Sequence, residues 1–245
     1  MQTAEFLIYS CFLKDCGCIY SVTRPNTRAM PQKDSFLASK VDNMIVAAII
    51  LAAGKSERMG QNKLLLPLNG SNLIDNVLNA IAAADIEEKV IVLGHKPEEM
   101  IDVIKRWRCK AQVVINLDYE QGMSSSFQKG LRLLPYVDAA FLVLGDQPIL
   151  DKSLLDLMMQ RLENHPETLI VSPIYKGKKG HPVLFRKELF SEILSLDTNE
   201  TIRDVIHRHA NRLLTVEAPE WAILDMDTPE DYARIRNLMK LGNSL

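Results

Sequence analysis

From Met44 onward, short apolar runs alternate with segments whose apolar residues recur at helical spacing. The predicted strands cover residues 45–51, 89–94, 111–115 and 139–144, and the predicted helices cover residues 72–84, 97–107 and 125–134. Strands that alternate with helices in this way are typical of parallel sheets with crossover helices. The sequence therefore predicts a layered α/β/α fold with a mostly parallel sheet, in which loops at the carboxyl ends of the strands bind the ligand.

The first predicted strand runs into a loop of small residues that is followed by two spaced cations. Ala52, Ala53 and Gly54 let backbone amides approach an anion that larger side chains would push away. Arg58 and Lys63 can donate charge-assisted hydrogen bonds to the oxygens of that anion. An ordinary strand-to-loop transition with two solvated cations is the alternative, but the full spacing favours a polyphosphate site. The candidate residues are Leu51, Ala52, Ala53, Gly54, Arg58 and Lys63.

A second signal is the carboxylate at the exit of the strand at 139–144. Asp146 follows this apolar strand, and Pro148 prevents the strand from continuing. Magnesium prefers hard oxygen ligands and is commonly bound by one or two carboxylates together with substrate phosphates. Asp146 could instead be a turn residue or a helix N-cap. We predict that it is a metal ligand.

The segment 222–232 predicts a short strand followed by a capped helix. Thr228 is the expected N-cap, Pro229 the first helical residue and Asp231 the capping-box partner. Strand alternation would place Asp225 and Asp227 on the same face, where one or both could reach a cation.

Two further segments carry polar residues in a context that suits ligand binding. Gly122 precedes three serines at the start of a helix, where Ser124 or Ser125 could simply be the N-cap. Residues 176–186 form a basic, glycine-rich loop that contains His181. A solvated hairpin is the common meaning of such a loop, although a histidine can bind a phosphate in either charge state.

The first-loop motif, Leu-Ala-Ala-Gly-x-Ser-x-Arg-Met-Gly-x-Asn-Lys-Leu-Leu, resembles the signature of the nucleotidyltransferases that make the dinucleotide form of the molybdenum cofactor. It is most similar to the molybdenum cofactor cytidylyltransferases, because the guanylyltransferase relatives typically have Gly-Gly in place of Ala52-Ala53. The resemblance extends from near Val46 to near Met239 and implies a Rossmann-like nucleotidyltransferase fold.

The resemblance also implies a reaction, in which CMP is transferred from CTP to the phosphate of molybdopterin with Mg²⁺ as cofactor. In this reaction Arg58 and Lys63 would neutralise the triphosphate, and Asp146 and Asp227 would bind the metal. We expect the two cations to act on phosphates rather than on stability.

The remaining roles also follow from the resemblance. Gly122 and Ser126 would contact the nucleotide, with Ser126 near the base. His181 would help to hold the phosphate of the pterin. Asp225, if it does not reach the cation, could instead be a supporting residue that hydrogen-bonds into the site.

Other functions stay open from the sequence. The chain could transfer a cytidylyl or uridylyl group to a sugar or polyol phosphate, since such relatives share the first loop. It could also be a non-catalytic nucleotide-binding or cofactor-binding partner in the maturation of a molybdenum hydroxylase, although that hypothesis predicts loss of a metal carboxylate. A net charge of -2 and the absence of an eighteen-residue apolar run favour neither nucleic acid nor membrane as a partner.

The domain organisation follows from composition. Residues 1–43 are expected to be a disordered or non-catalytic extension, residues 44–240 the nucleotidyltransferase domain and residues 241–245 a tail. Three of the four cysteines lie in the first 18 residues, without a second Cys or His pair that would complete a zinc site. A disulfide framework is not expected, and we expect the protein in a reducing cytoplasm.

Overall fold

The computed structural model describes residues 19–20, 44–107, 110–224 and 226–242, and this part of the chain forms a sheet between two layers of helices. Its strands are β1 (Ile19–Tyr20), β2 (Val46–Ala52), β3 (Pro67–Leu68), β4 (Ser71–Asn72), β5 (Glu88–Leu93), β6 (Gln112–Ile115), β7 (Ala139–Leu144), β8 (Ile170–Tyr175), β9 (Lys178–Lys179), β10 (Val183–Arg186) and β11 (Leu213–Glu217). Its α-helices are α1 (Leu73–Ala83), α2 (Glu98–Arg106), α3 (Met123–Leu131), α4 (Lys152–Asn164), α5 (Phe190–Ser195), α6 (Ile202–Arg208) and α7 (Pro229–Gly242).

The main sheet has the strand order β1-β6-β5-β2-β7-β10-β8-β11, and β9 pairs with β8. Most neighbours are parallel, but β10 is antiparallel to both β7 and β8. The mostly parallel sheet that the sequence predicts is therefore confirmed. Strand β2 lies at the centre, with β5 on one side and β7 on the other.

The core consists of two apolar clusters, one on each face of the sheet. Alternate residues of β2 enter different clusters, since Ala48 and Ile50 pack in one and Ala47 and Ile49 in the other. Helices α1, α2, α4 and α7 contribute to the first cluster, and α3, α5 and α6 to the second. This arrangement is the three-layer α/β/α architecture expected from the sequence.

Six of the seven predicted elements begin and end within one residue of their observed bounds. The exception is the helix predicted at residues 125–134, which is observed at Met123–Leu131. Its N-cap is Gly122, so the alternative in which Ser124 or Ser125 serves only as the N-cap does not hold. Gly122 has φ = 95°, a backbone conformation that favours glycine.

The short strand predicted within residues 222–227 is also wrong. Glu220–Ile223 form a 3₁₀ helix, in which the backbone amide of Ala222 bonds the carbonyl of Pro219 at 3.0 Å. The carbonyl of Ala222 accepts a hydrogen bond from the backbone amide of His181, also at 3.0 Å, rather than from a ladder partner. Asp225, which the strand would have oriented, lies outside the described residues.

The predicted cap of the following helix is confirmed. The backbone amide and hydroxyl of Thr228 donate to Asp231 at 3.0 and 2.8 Å, and the amide of Asp231 donates back to the Thr228 hydroxyl at 3.2 Å. The cap fixes the direction in which the chain enters α7, immediately after Asp227.

Within the described residues, none of the helices has the length and apolar character needed to cross a lipid bilayer. Of the segment 1–43, the structure describes only β1, which pairs with Gln112 and Val113 at the edge of the sheet. The rest of the predicted extension lies outside the described residues. The pairing of β1 is a contact that the sequence did not predict.

We predict that a chain beginning at Met44 folds. Strand β6 keeps its pairing with β5 when β1 is removed, and all of β2 is retained. The midpoint of thermal unfolding should change by less than about 4 °C, which corresponds to roughly 1 kcal/mol for a chain of this size. As a control, a chain beginning at Leu51 loses most of the central strand and should not unfold cooperatively. Loss of cooperative unfolding in the Met44 chain would show that residues 1–43 are needed for the fold.

Candidate active site

The candidate site lies at the carboxyl ends of β2, β5 and β7, which are joined there by backbone hydrogen bonds. The carbonyl of Leu51 accepts from the amide of Gly145 at 2.9 Å, and the carbonyl of Ala53 accepts from the amide of His95 at 3.1 Å. In the main sheet, β5 and β6 lie on one side of β2, whereas β7 and the later strands lie on its other side. Such a switch in strand order leaves a crevice outside the strand ends, which is where ligands bind in open α/β sheets.

A cavity of about 520 Å³ opens at this crevice. All eight residues predicted to contact the nucleotide are in its lining, as are both predicted metal ligands, Asp146 and Asp227. The eight residues are Leu51, Ala52, Ala53, Gly54, Arg58, Lys63, Gly122 and Ser126. A Cβ atom added to Gly54 would meet no other atom within 4 Å, so the loop backbone there faces open space.

The centre of the site is the ammonium group of Lys63. It bonds the Asp227 carboxylate at 2.8 Å and the Met226 carbonyl at 3.2 Å, and it also forms an ion pair with Asp146. Because both carboxylates contact one nitrogen, their bonded oxygens lie within about two hydrogen-bond lengths, roughly 6 Å, of each other. The fold thus brings together two carboxylates that are far apart in the sequence.

Electrostatics keep this cluster ionised. Burial lowers the pKa of Lys63, but Asp146 and Asp227 outweigh burial and raise that pKa above its ordinary value. The hydrogen bond from Lys63 lowers the pKa of Asp227 against the opposing effect of burial, and Arg58 lowers it further. At neutral pH the site therefore contains a charged ammonium beside a charged carboxylate.

The two predicted phosphate-binding cations differ in exposure. The Lys63 side chain is 13% exposed, whereas that of Arg58 is 69% exposed and forms a single ion pair with Asp227, at 2.9 Å, within the described part of the chain. Lys63 is thus enclosed by its partners and links parts of the fold, which the sequence did not indicate. Arg58 belongs to the cavity lining but is largely exposed to solvent.

The serine segment is positioned by a buried asparagine that sequence reasoning missed. Asn116 is 2% exposed, and its side-chain amide donates to the hydroxyls of Ser125 and Ser126 at 3.0 Å each. The hydroxyl of Ser124 instead accepts from the amide of Ile202 and faces α6. Of the three serines, only Ser126 lines the cavity. The position of Asn116 just after β6 was the available signal, because polar residues at strand ends line such sites.

An ion pair crosses the cavity lining between its two loops. Lys55, in the first loop, bonds Glu120 at 2.5 Å and lies 3.5 Å from Glu57. Glu120 belongs to the turn before α3, next to Tyr119, whose hydroxyl is 3.3 Å from a ring nitrogen of His95. These residues were not predicted, since single charges in loops carry no distinctive spacing.

A smaller cavity of about 220 Å³ adjoins the first. The two cavities share Leu144, Asp146 and Asp227 in their linings. His181, the predicted acceptor-binding residue, lines only the smaller cavity. The larger and smaller cavities therefore meet at the two carboxylates.

The carboxylates of Asp146 and Asp227 suit a divalent cation whose remaining ligands come from outside the protein. Two carboxylates converge, but in the described part of the chain no group of three or more His, Cys, Asp or Glu residues forms a complete metal cage. The larger cavity is lined by three cations, Lys55, Arg58 and Lys63, and by four carboxylates, Glu57, Glu120, Asp146 and Asp227. A polyphosphate entering this lining needs additional positive charge, which a cation at the two aspartates would supply.

The fold and this crevice are those of a nucleotidyltransferase, a class in which an α/β sheet presents a small-residue loop and carboxylates to a nucleotide. A solved nucleotidyl transferase from Methanothermobacter thermautotroptrophicus superposes with a TM-score of 0.68 at 25% identity, over 82% of this chain and 98% of that one. The MobA-like NTP transferase domain family matches residues 48–213, and the chain belongs to this family.

Two curated relatives are matched over nearly their whole length. The molybdenum cofactor cytidylyltransferase of Escherichia coli is 27% identical over 190 residues, which is 76% of this chain and 93% of that protein. The purine catabolism protein PucB of Bacillus subtilis is 30% identical over 204 residues, which is 78% of this chain and 96% of that protein. The resemblance seen in the sequence is thus confirmed at the level of the family and the class of enzyme.

The contacts of Lys63 change the expectation from the sequence that it does not act on stability. Replacing Lys63 by Ala should lower the free energy of unfolding by roughly 1 to 2 kcal/mol at pH 7, because it leaves two neighbouring carboxylates without their shared cation. The pKa of Asp227 is lowered in the folded protein, so its contribution to stability is present above the ordinary pKa of about 3.9 and is lost as the pH falls through the folded-state value. The penalty should therefore stay nearly constant from pH 7 to about pH 4 and shrink as the pH falls below about 4, measured by urea unfolding.

Arg58→Ala is the matched control for this measurement. Its exposed side chain should contribute less than about 0.5 kcal/mol to the free energy of unfolding. A larger loss for Arg58→Ala than for Lys63→Ala, or a Lys63 penalty that does not change with pH, would contradict this account of the cluster.

Proposed function

We propose that the protein transfers CMP from CTP to the phosphate of molybdopterin and releases pyrophosphate. The observation that carries this proposal is the meeting of two cavities at Asp146 and Asp227. The larger cavity has the volume and the loop for a nucleoside triphosphate, and the smaller one is open to an acceptor. The family membership and the 27% identity to the Escherichia coli cytidylyltransferase support the choice of reaction.

The triphosphate would lie along the first loop of the larger cavity. Backbone amides near Gly54 and the side chains of Arg58 and Lys63 would bind its oxygens. The base would lie toward Gly122 and Ser126, where the first turn of α3 offers free backbone amides. Both cations must exchange a carboxylate partner for a phosphate when the nucleotide binds.

The acceptor phosphate would enter from the smaller cavity, next to His181. One of its oxygens attacks the α-phosphorus, the bond from that phosphorus to the bridging oxygen of the β-phosphate breaks, and pyrophosphate leaves with the electron pair. No protein nucleophile is required, since positioning and charge stabilisation supply most of the catalysis in such transfers. Lys63 and Arg58 would oppose the charge that develops on the leaving group.

Magnesium is part of the proposal. Asp146 and Asp227 would hold it, and the phosphates and water would supply its remaining ligands. Bound there, it would contribute positive charge between the nucleotide and the acceptor. The surplus of carboxylates over cations in the cavity lining supports this role.

The proposal has two alternatives, one a different reaction and the other a non-catalytic role. Cytidylyl or uridylyl transfer to a sugar or polyol phosphate would use the same nucleotide cavity and differ only at the acceptor. A non-catalytic role in maturing a molybdenum hydroxylase would not need both carboxylates at the junction. Incubation of the protein with Mg²⁺, each nucleoside triphosphate in turn and either molybdopterin or a sugar or polyol phosphate, with detection of pyrophosphate, separates these functions. Pyrophosphate should appear only when CTP and molybdopterin are both present.

CTP should be used in preference to GTP. Ala52 and Ala53 are nearly buried at the wall of the larger cavity, and their methyl groups should crowd a purine more than a pyrimidine. The measurement is the rate of pyrophosphate release with each nucleotide at equal concentration. Faster turnover of GTP would refute the predicted base preference and leave the fold unaffected.

Asp146→Asn and Asp227→Asn should each reduce magnesium-dependent turnover by several powers of ten. A neutral amide binds a hard cation poorly and removes one negative charge from the junction. Both variants should still unfold cooperatively, and calorimetric titration with Mn²⁺ in the presence of CTP should show weakened metal binding. Asp118→Asn, at an exposed carboxylate outside both cavities, is the control. Full activity in either site variant would exclude a shared metal site.

A further inference from the structure

The smaller cavity contains polar groups that transfer to a bare phosphate would not need. Its lining includes three cations that the larger cavity does not share, Lys178, Lys179 and Arg203, and also Gln147. If the smaller cavity receives the acceptor, these groups contact parts of the acceptor other than its reacting phosphate. Their assignment therefore rests on the proposed function.

The three cations have no carboxylate partner among the residues that the structure describes. By contrast, the shared aspartates, Asp146 and Asp227, are already paired with Lys63, and Asp227 is also paired with Arg58. Within the described residues, the lining of the smaller cavity therefore carries three cations that no carboxylate pairs with. An anionic group placed there would gain charge-assisted hydrogen bonds without first breaking an ion pair.

Gln147 provides a second, independent observation. It is 3% exposed, and its side-chain amide nitrogen donates to the carbonyl of His181 at 2.7 Å. This bond fixes the orientation of the amide, because only the nitrogen can face a carbonyl oxygen. The side-chain oxygen is buried without a hydrogen-bond partner in the described structure. A buried acceptor without a partner is unfavourable, and a ligand with an N–H or O–H donor would satisfy it.

The cavity wall is fixed in place by the surrounding backbone. The amide of Gly180 bonds the carbonyl of Pro173 at 2.9 Å, and a Cβ atom at Gly180 would lie 2.0 Å from the carbonyl oxygen of Ala222. Thr201 and Asp204 form a capping box at the start of α6, which fixes the backbone at Arg203. The backbone beside Gly180 and Arg203 is therefore fixed, and the buried side chain of Gln147 is held by its bond to His181.

We propose that the smaller cavity selects an acceptor with two features besides its reacting phosphate: a second anionic group, bound by Lys178, Lys179 and Arg203, and an N–H or O–H donor, bound by the side-chain oxygen of Gln147. Molybdopterin has both features, in its dithiolene sulfurs and its pterin ring. A simple sugar or polyol phosphate has hydroxyl donors but no second anion. The site thus discriminates between the acceptors that the family fold can serve.

The first experiment measures acceptor kinetics at saturating CTP. Arg203→Ala and the double variant Lys178→Ala/Lys179→Ala should raise the KM for molybdopterin about tenfold or more, as expected for loss of a charge-assisted contact, and should leave the KM for CTP unchanged. Lys176→Ala is the control for the loop, since Lys176 lies 5.1 Å from the Tyr175 ring centroid and outside the cavity lining. Arg208→Ala is the control on α6, because Arg208 pairs with Glu192 and Glu200. Equal KM values for molybdopterin in Arg203→Ala and Arg208→Ala would overturn the anion part of the proposal.

The second experiment measures binding without turnover. Molybdopterin and a sulfur-free pterin phosphomonoester are titrated calorimetrically into the wild type, Arg203→Ala and Gln147→Met. Gln147→Met should weaken binding of both compounds, and Arg203→Ala should weaken binding of molybdopterin more than that of the sulfur-free pterin. An equal effect of Arg203→Ala on both compounds would overturn the binding of a second anion. Unchanged affinities in Gln147→Met would overturn the binding of a donor group by Gln147.

These two measurements separate the inference from the proposed function. If the wild type binds molybdopterin through Arg203 and Gln147 but releases no pyrophosphate with CTP, the proposed reaction is wrong and the acceptor site stands. If turnover is normal and the variants bind and react like the wild type, the reaction stands and the selectivity site is wrong.

Discussion

The ammonium group of Lys63 is the contact on which the site depends. It joins the first loop, the end of β7 and the segment before α7, because it bonds Asp146, Asp227 and the carbonyl of Met226. Without a cation between them, two partly buried carboxylates at this separation would repel each other. A single side chain thus brings together distant parts of the chain at the junction of the two cavities.

The balance of charge around this contact governs what the site can bind. In the larger cavity Lys55, Arg58 and Lys63 each have a carboxylate partner, so a triphosphate must replace internal ion pairs rather than find free charges. A phosphate that takes over Lys63 and Arg58 leaves Asp227 without its cations, and a divalent cation at that position would compensate it. In the smaller cavity Arg203 and its neighbouring lysines form no such pairs in the described structure. The two cavities therefore differ in how strongly they are preorganised for an anion.

Sequence reasoning succeeded where a local pattern has one physical meaning. Continuous apolar runs located β2, β5 and β7 to within a residue. The cap formed by Thr228 and Asp231 followed directly from the residue types. It failed for the 3₁₀ helix at Glu220–Ile223, because the apolar residues there pack around a turn that bonds the backbone of His181. It failed for the start of α3 because Gly122, with its positive φ, replaces a serine as the N-cap. The antiparallel insertion of β10 was not predicted either.

By itself, the sequence determined the class of fold, the small-residue loop and the identity of the principal charged residues, because these follow from spacing along the chain. Only the tertiary structure decided which charges meet. The partly buried pairing of Lys63 with Asp146 and Asp227, the hydrogen bonds from Asn116 to Ser125 and Ser126, and the place of Gln147 and Arg203 in the second cavity all join residues from different strands and helices. Such contacts depend on strand order and on how helices pack across the sheet, and neither quantity is encoded in the local periodicity of the sequence.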